Sequence, residues 1–174
     1  ESLFLAEKEK SYGIVNGKDT VVWNTKIDSM LTANFGATTI TKGKQLNKEA
    51  LCSTYHLDEK LPLIAFIGRF ALEKGADILP KTLVRALVEF KGQLKFLILG
   101  SGDKELQQSL EQISKDYPEH FALYIGYNEE LAHQVYASAD YLFMPSRVEP
   151  CGLNQLYAMR YGTVPIVRST GGLR

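Results

Sequence analysis

"LIAFIGRFALEKGADILPKTLVRALVEFKGQLKFLILGSGD", residues 63–103, reads as a strand, a helix and a second strand. The run Leu63-Ile64-Ala65-Phe66-Ile67 is short, apolar throughout and stopped by Gly68, the pattern of a strand buried on both faces. Over roughly 75–91, Leu79, Leu83, Ala86, Leu87 and Phe90 recur at helical spacing, with Pro80 early enough to sit in a first turn. A second apolar run, Leu94 to Leu99, ends at Gly100-Ser101-Gly102-Asp103. The alternation then continues with a helix over 103–116, a strand over 121–125, a helix over 129–138, a strand over 141–144, a helix over 152–161 and a strand over 164–167. Strands that are apolar on both faces and alternate with helices predict an α/β fold, a Rossmann-like parallel sheet with helices on both faces. Ligands of such sheets bind at the carboxyl ends of the strands, so the residues just after each apolar run carry the functional information.

Before residue 62 the pattern is weaker. It holds a short "YGIVNG" strand, a loop rich in Thr, Asn and Gly, and one helix at about 47–55. We therefore expect a lead-in, interdomain segment over 1–61 and a nucleotide-binding domain over 62–174. The chain begins without Met and stops abruptly after "STGGLR", and a fragment of a larger protein is expected. The composition is that of a soluble globular protein: 174 residues, 45% apolar and 23% charged. Twenty basic and twenty acidic side chains cancel, which argues against nucleic acid or an anionic membrane as partner. No apolar run is long enough to span a bilayer, and the N-terminus lacks the signature of a signal peptide. Cys52 and Cys151 lie far apart and in no metal-binding spacing, so two reduced thiols are expected and no metal.

The strand tips carry distinctive residue types. After the first strand stand Arg69 and Lys74, two cations suited to a diphosphate, although in isolation two solvated loop charges are the plainer reading. After the second, "GSGD" lacks the third Gly of a dinucleotide fingerprint and reads as a tight turn with Asp103 capping the next helix. After the third, Tyr127 can stack on a base or pack locally, Asn128 caps a helix, and His133 reads as structural. After the fourth comes "PSRVEPCGLNQLYAMRYG", in which Glu149 can accept hydrogen bonds from ligand hydroxyls and Gly152 allows close approach. A capped helix start is the plain alternative there. After the fifth, "STGGL" reads as an anion-cradling turn with free backbone N–H groups.

The segments "YGIVNGKDTVVWN" (12–24), "FIGRFALEKGADIL" (66–79), "GSGD" (100–103) and "IGYNEELAHQVYASADYLFMPSRVEPCGLNQLYAMRYGTVPIVRSTGGL" (125–173) resemble the C-terminal half of bacterial glycogen synthases and plant starch synthases. That resemblance covers nearly the whole chain and implies a GT-B fold, two Rossmann-like domains facing across a cleft. It implies retaining transfer of glucose from ADP-glucose, with UDP-glucose the alternative donor, to the 4-OH end of an α-1,4-glucan. The family's first domain, with its own lysine, histidine and acceptor surface, would be absent here, so this fragment alone is expected to bind nucleotide without turnover. No cofactor or metal is expected, the two cations and the Gly-rich turn standing in for Mg²⁺. A bacterial cytoplasm is the expected compartment, a plastid stroma the alternative.

By the same resemblance Arg69 and Lys74 neutralise the donor diphosphate, Tyr127 lies against the adenine, and Glu149 holds the glucose hydroxyls. Cys151 and Gly152 line the sugar pocket, Asn154 and Gln155 help to hold sugar or phosphate, and Thr170, Gly171 and Gly172 receive the distal phosphate. Two positions depart from the family pattern, Asn154 in place of Thr and Glu73 in place of Gln; Tyr157 stands where wider relatives carry a second acid, which glycogen synthases also lack. Competing readings are another nucleotide-sugar enzyme of the same fold, such as a sucrose-type glucosyltransferase or a sugar epimerase, and a non-enzymatic nucleotide-binding module. "EPCG" in place of "EGFG" disfavours the first, and the set of strand-tip residues disfavours the second. A Rossmann oxidoreductase is disfavoured by the lack of a full GxGxxG.

Overall fold

The computed structural model describes residues 5–174; the first four residues of the expected lead-in segment lie outside them. Five parallel strands form one sheet in the order β3-β2-β1-β4-β5, with β1 Leu63–Ile67, β2 Lys95–Gly100, β3 Phe121–Ile125, β4 Tyr141–Met144 and β5 Val164–Val167. The connecting helices are α2 Leu79–Glu89, α3 Lys104–Asp116, α4 Glu129–Ser138 and α5 Asn154–Arg160, with α1 Ile40–Tyr55 ahead of the sheet.

The strand period of two sorts the core into two layers. Ala65, Leu97 and Leu142 point to one face and pack with Leu51 and Cys52 of α1, Val135 and Tyr136 of α4 and Ala158 of α5. Phe66, Phe96 and Ile98 point to the other and pack with Leu79, Leu83 and Leu87 of α2 and Leu110 and Ile113 of α3. Each buried Leu, Ile, Val or Phe among them, removed from water, contributes about 1.5–3 kcal/mol. The expected capping is present: the Asp103 carboxylate accepts from the N–H groups of Glu105 and Leu106, both at 3.0 Å, and Asn128 accepts from Leu131 N–H at 2.9 Å.

The structure departs from the sequence expectations in three places. The helix expected over 75–91 is α2 from Leu79 only, preceded by 3₁₀ turns at Leu72–Lys74 and Ala76–Ile78. Gly75 between them has φ +67°, which interrupts a helix, and Pro80 sits in the first turn of α2. The helix expected at 47–55 begins at Ile40, because Gly43 lies flush on Phe35: a Cβ there would come within 2.3 Å of the Phe35 Cβ. Residues 12–17 belong to no sheet, and Tyr12 and Ile14 are exposed.

The lead-in segment docks on the same core as the sheet. Trp23 stacks between His133 and Tyr157, with ring centroids 3.8 and 3.7 Å apart. The fully buried His133 places Nδ1 2.7 Å from the Asp28 carboxylate, which also accepts from the Tyr161 hydroxyl. Burial, followed by the Asp28 carboxylate, pushes the Tyr161 phenol upward from its ordinary value. His133 is thus structural, as read from the sequence. Lys44 of α1 donates to the Ala139 carbonyl at 2.8 Å, the Tyr161 carbonyl at 3.3 Å and Thr163 Oγ1 at 2.9 Å, joining the ends of α4 and α5.

Candidate nucleotide-sugar site

The strand order reverses between β1 and β4: β1 leads outward to β2 and β3, and the chain then returns to place β4 on the other side of β1. At such a switch point the loops after the two strands diverge and leave a crevice. A cavity of about 470 Å³ lies there, lined by Arg69 and Lys74 from the loop after β1 and by Glu149, Cys151, Gly152 and Asn154 from the loop after β4. A second cavity of about 220 Å³ adjoins it over the ends of β2 and β3, lined by Ser101, Gly126 and Tyr127. Gly68, Arg69 and Asn154 wall both, so the two form one cleft.

Lys74 and Glu149 are the centre of the larger cavity. The Lys74 ammonium donates to Glu149 Oε2 at 2.6 Å, and the Ser146 hydroxyl donates to the same oxygen at 3.2 Å. The Glu149 side chain is 10% exposed and that of Lys74 26%, so the pair is largely dry but opens to the cleft. Arg69 is different: its side chain is 71% exposed and leans on Glu73 at 2.7 Å. An exposed pair of this kind is worth well under about 1 kcal/mol, so Arg69 is free to turn toward an anion. Asn154 Nδ2 donates to the Ile67 carbonyl at 2.8 Å, which ties the start of α5 to the tip of β1. Tyr127 is 85% exposed and lines the smaller cavity.

The remaining sequence-derived residues stand behind the cleft. Gln155 is buried and turns its amide back onto the carbonyls of Cys151 and Gly152, at 3.1 and 2.9 Å. Two of the five N–H groups of the "STGGL" turn are engaged within the fold. Gly172 N–H donates to the Glu149 carbonyl at 2.9 Å, Leu173 N–H to the Thr170 carbonyl at 2.9 Å, and the Thr170 hydroxyl to the Arg147 carbonyl at 3.2 Å. A Cβ at Gly171 would come 2.1 Å from the Glu149 carbonyl oxygen, and one at Gly172 2.2 Å from that of Cys151. The two glycines let β5's tip lie against the backbone of the Glu149 loop, and the turn supports that loop.

Three neighbours escaped the sequence reading. Ser146 and Arg147 sit in "PSR", directly after β4, where a strand-tip position was their signal; a hydroxyl and a cation alone suggested no partner. Asn16, which lines the larger cavity from the lead-in segment, had no signal beyond a polar residue between glycines. Among the described residues no group of three or more His, Cys, Asp or Glu is placed to hold a metal, and no helix is long and apolar enough to cross a membrane.

A doubly wound parallel sheet with a charged crevice at its switch point has its cleft where folds of this class bind their ligands. The profile of the family described as "Glycosyl transferases group 1" matches residues 47–174, and the chain belongs to that family. It is 54% identical to the glycogen synthase of Flavobacterium johnsoniae over all 174 of its residues, which cover 37% of that protein. It is 46% identical to the glycogen synthase of Bacillus anthracis over 99% of this chain and 36% of that one. Among solved structures, the catalytic domain of starch synthase IV from Arabidopsis thaliana, bound to ADP and acarbose, matches with a TM-score of 0.88 and 36% identity over 99% of this chain and 35% of that one. The chain thus spans a little over a third of the length of these relatives. Anabaena HepE in complex with UDP-glucose shares the fold, with a TM-score of 0.62 at 17% identity.

Proposed function

We propose that this chain is the donor-binding part of a retaining glucosyltransferase that moves glucose from ADP-glucose to the 4-OH end of an α-1,4-glucan. The observation that carries this reading is the Lys74–Glu149 pair at 2.6 Å in the switch-point cavity, flanked by Arg69 and continuous with the shelf at Tyr127. A cation and a carboxylate in contact suit a ligand that is anionic at one end and hydroxylated at the other. The names of the relatives, glycogen synthase and starch synthase, supply the reaction class.

In this mechanism the adenine lies on Tyr127, and Arg69 leaves Glu73 for the diphosphate. Lys74 shares its ammonium between Glu149 and the phosphate next to the sugar. As the bond from glucose C1 to the diphosphate breaks, its electron pair goes to the leaving oxygen, and the two cations meet the charge where it develops. Glu149 accepts hydrogen bonds from the glucose hydroxyls while Cys151 and Gly152 wall the ring. Asn154 and Gln155 hold the loop that carries them. Thr170, Gly171 and Gly172 support the same loop from behind the cleft. No divalent metal is needed, because Arg69 and Lys74 take its electrostatic part. The 4-OH acceptor, presented by the rest of the protein in a bacterial cytoplasm, bonds to C1 and gives its proton to the departing diphosphate oxygen.

Calorimetric titration with ADP, ADP-glucose, UDP-glucose and NAD tests the reading. ADP and ADP-glucose bind, NAD gives no heat, and Arg69→Ala weakens ADP by at least about tenfold, as for loss of hydrogen bonds to a charged group. ADP binding that is indifferent to Arg69→Ala, or a preference for NAD, overturns it.

A further inference from the structure

Arg147 lies outside the sequence-derived site, yet three of the loops that build the cleft meet on it. Its guanidinium makes a two-pronged ion pair with Asp77, one prong at 2.9 Å, and donates to the Leu72 carbonyl at 2.9 Å. Its backbone N–H donates to the Glu73 carbonyl at 2.8 Å, and that carbonyl also accepts from Val148 N–H at 3.1 Å. Its own carbonyl accepts from the Thr170 hydroxyl at 3.2 Å. The loops after β1, β4 and β5 are thus tied together at one residue.

The tie points flank the charged pair. Leu72 and Glu73 precede Lys74 directly, and Asp77 follows it by three residues; Arg147 and Val148 lead into Glu149. Gly75 permits the approach, since any Cβ there would stand 2.3 Å from the Pro145 carbonyl oxygen. A planar guanidinium can hold both carboxylate oxygens and a carbonyl at fixed angles, which a lysine ammonium cannot do. The Asp77–Arg147 pair keeps the Asp77 carboxyl below its ordinary value, led by the hydrogen bond from Arg147, so the contact persists at neutral pH.

We infer that Arg147 is a positioning residue of the donor site: through Asp77 and Leu72 it holds the Lys74 loop and the Glu149 loop at the separation that lets ammonium and carboxylate meet at one ligand. The inference rests on the donor-site reading for its functional consequence, and on geometry alone for its structural one. Arg147 touches no substrate in this scheme; it acts through the two residues that do.

The test uses Arg147→Ala, Arg147→Lys, Asp77→Asn and the Asp77→Asn/Arg147→Ala double variant of this chain. Two readouts are taken: ADP affinity by calorimetry, and the ¹³Cε–¹⁵Nζ NMR signal of Lys74, which is narrow only while its ammonium is held. Arg147→Ala is expected to lower ADP affinity about tenfold, as for loss of one charge-assisted contact, and to broaden the Lys74 signal. Arg147→Lys restores little of either. Asp77→Asn, which keeps the shape of a half-buried side chain, shifts both in the same direction, and the double variant is no worse than Arg147→Ala. A simple loss of stability would lower the melting temperature without moving the Lys74 signal in the folded state. ADP affinity and a Lys74 signal both unchanged in folded Arg147→Ala or Asp77→Asn would overturn the inference. If the parent chain binds no ADP, the donor reading fails, and the Lys74 signal still decides whether Arg147 holds the pair.

Discussion

Lys74 and Glu149 are 75 positions apart in the chain and 2.6 Å apart in the fold, and the chemistry of the cleft follows from that contact. Removing one partner leaves the other nearly buried with its charge uncompensated, which is more damaging than removing both. Lys74→Met should therefore lower stability by about 2 kcal/mol in denaturant unfolding. Adding Glu149→Gln to that variant should recover much of the stability, because a neutral amide can stay beside Ser146, yet ADP affinity should remain lost. Recovery of both together would show that Lys74 serves the fold and not the ligand. At this level the sequence was informative about residue types: cations after β1, a carboxylate and a small residue after β4. It was silent on contacts such as Gln155 turning back onto the Cys151 carbonyl, since side-chain direction depends on the local turn and not on composition.

The strands and helices were legible where hydrophobic period and turn chemistry agreed. The five apolar runs became β1 to β5, and the caps at Asp103 and Asn128 began α3 and α4 where expected. The first part of α1 was missed because Thr41, Lys42, Gly43 and Lys44 look like loop; packing of Gly43 on Phe35 overrides that weak local preference. The opposite error came at 75–91, where apolar spacing ran past a glycine that the fold holds at φ +67°. Gly75→Ala tests that position directly. A Cβ there combines left-handed strain with a contact at 2.3 Å to the Pro145 carbonyl oxygen, so about 2 kcal/mol of stability should be lost. The same variant should weaken ADP, because relief of the clash separates the loops after β1 and β4. A variant as stable as the parent would mean that the two loops can part freely.

The whole molecule is held together by groups that join distant segments, and Lys44 is the clearest of them. It reaches from α1 to carbonyls at the ends of α4 and α5, and burial lowers its pKa from the usual 10.5 to about 8. Between those two values the unfolded chain holds a proton that the folded chain has lost, so unfolding takes up a proton and stability rises with pH. Below about 8 both states are charged and the Lys44 contribution is level. In Lys44→Met the titrating group is gone. The unfolding free energy of the parent should therefore gain on that of the variant as pH rises from 8 to 10.5, and a constant difference would contradict the assignment.

What the amino-acid sequence by itself determined is the class of fold and the kinds of side chain at the strand tips. Both are local matters: a strand buried on two faces must be apolar throughout, and a helix or turn start announces itself in three or four residues. The tertiary structure alone decided the order β3-β2-β1-β4-β5, the docking of Trp23 between His133 and Tyr157, and the meeting of three loops on Arg147. Pairings between segments far apart in the chain are won by the packing of the whole, in which each strand can find several apolar neighbours of equal local merit. Once β4 settles beside β1 and not beside β3, the crevice opens between their tips, and Lys74 and Glu149 come within reach of one ligand.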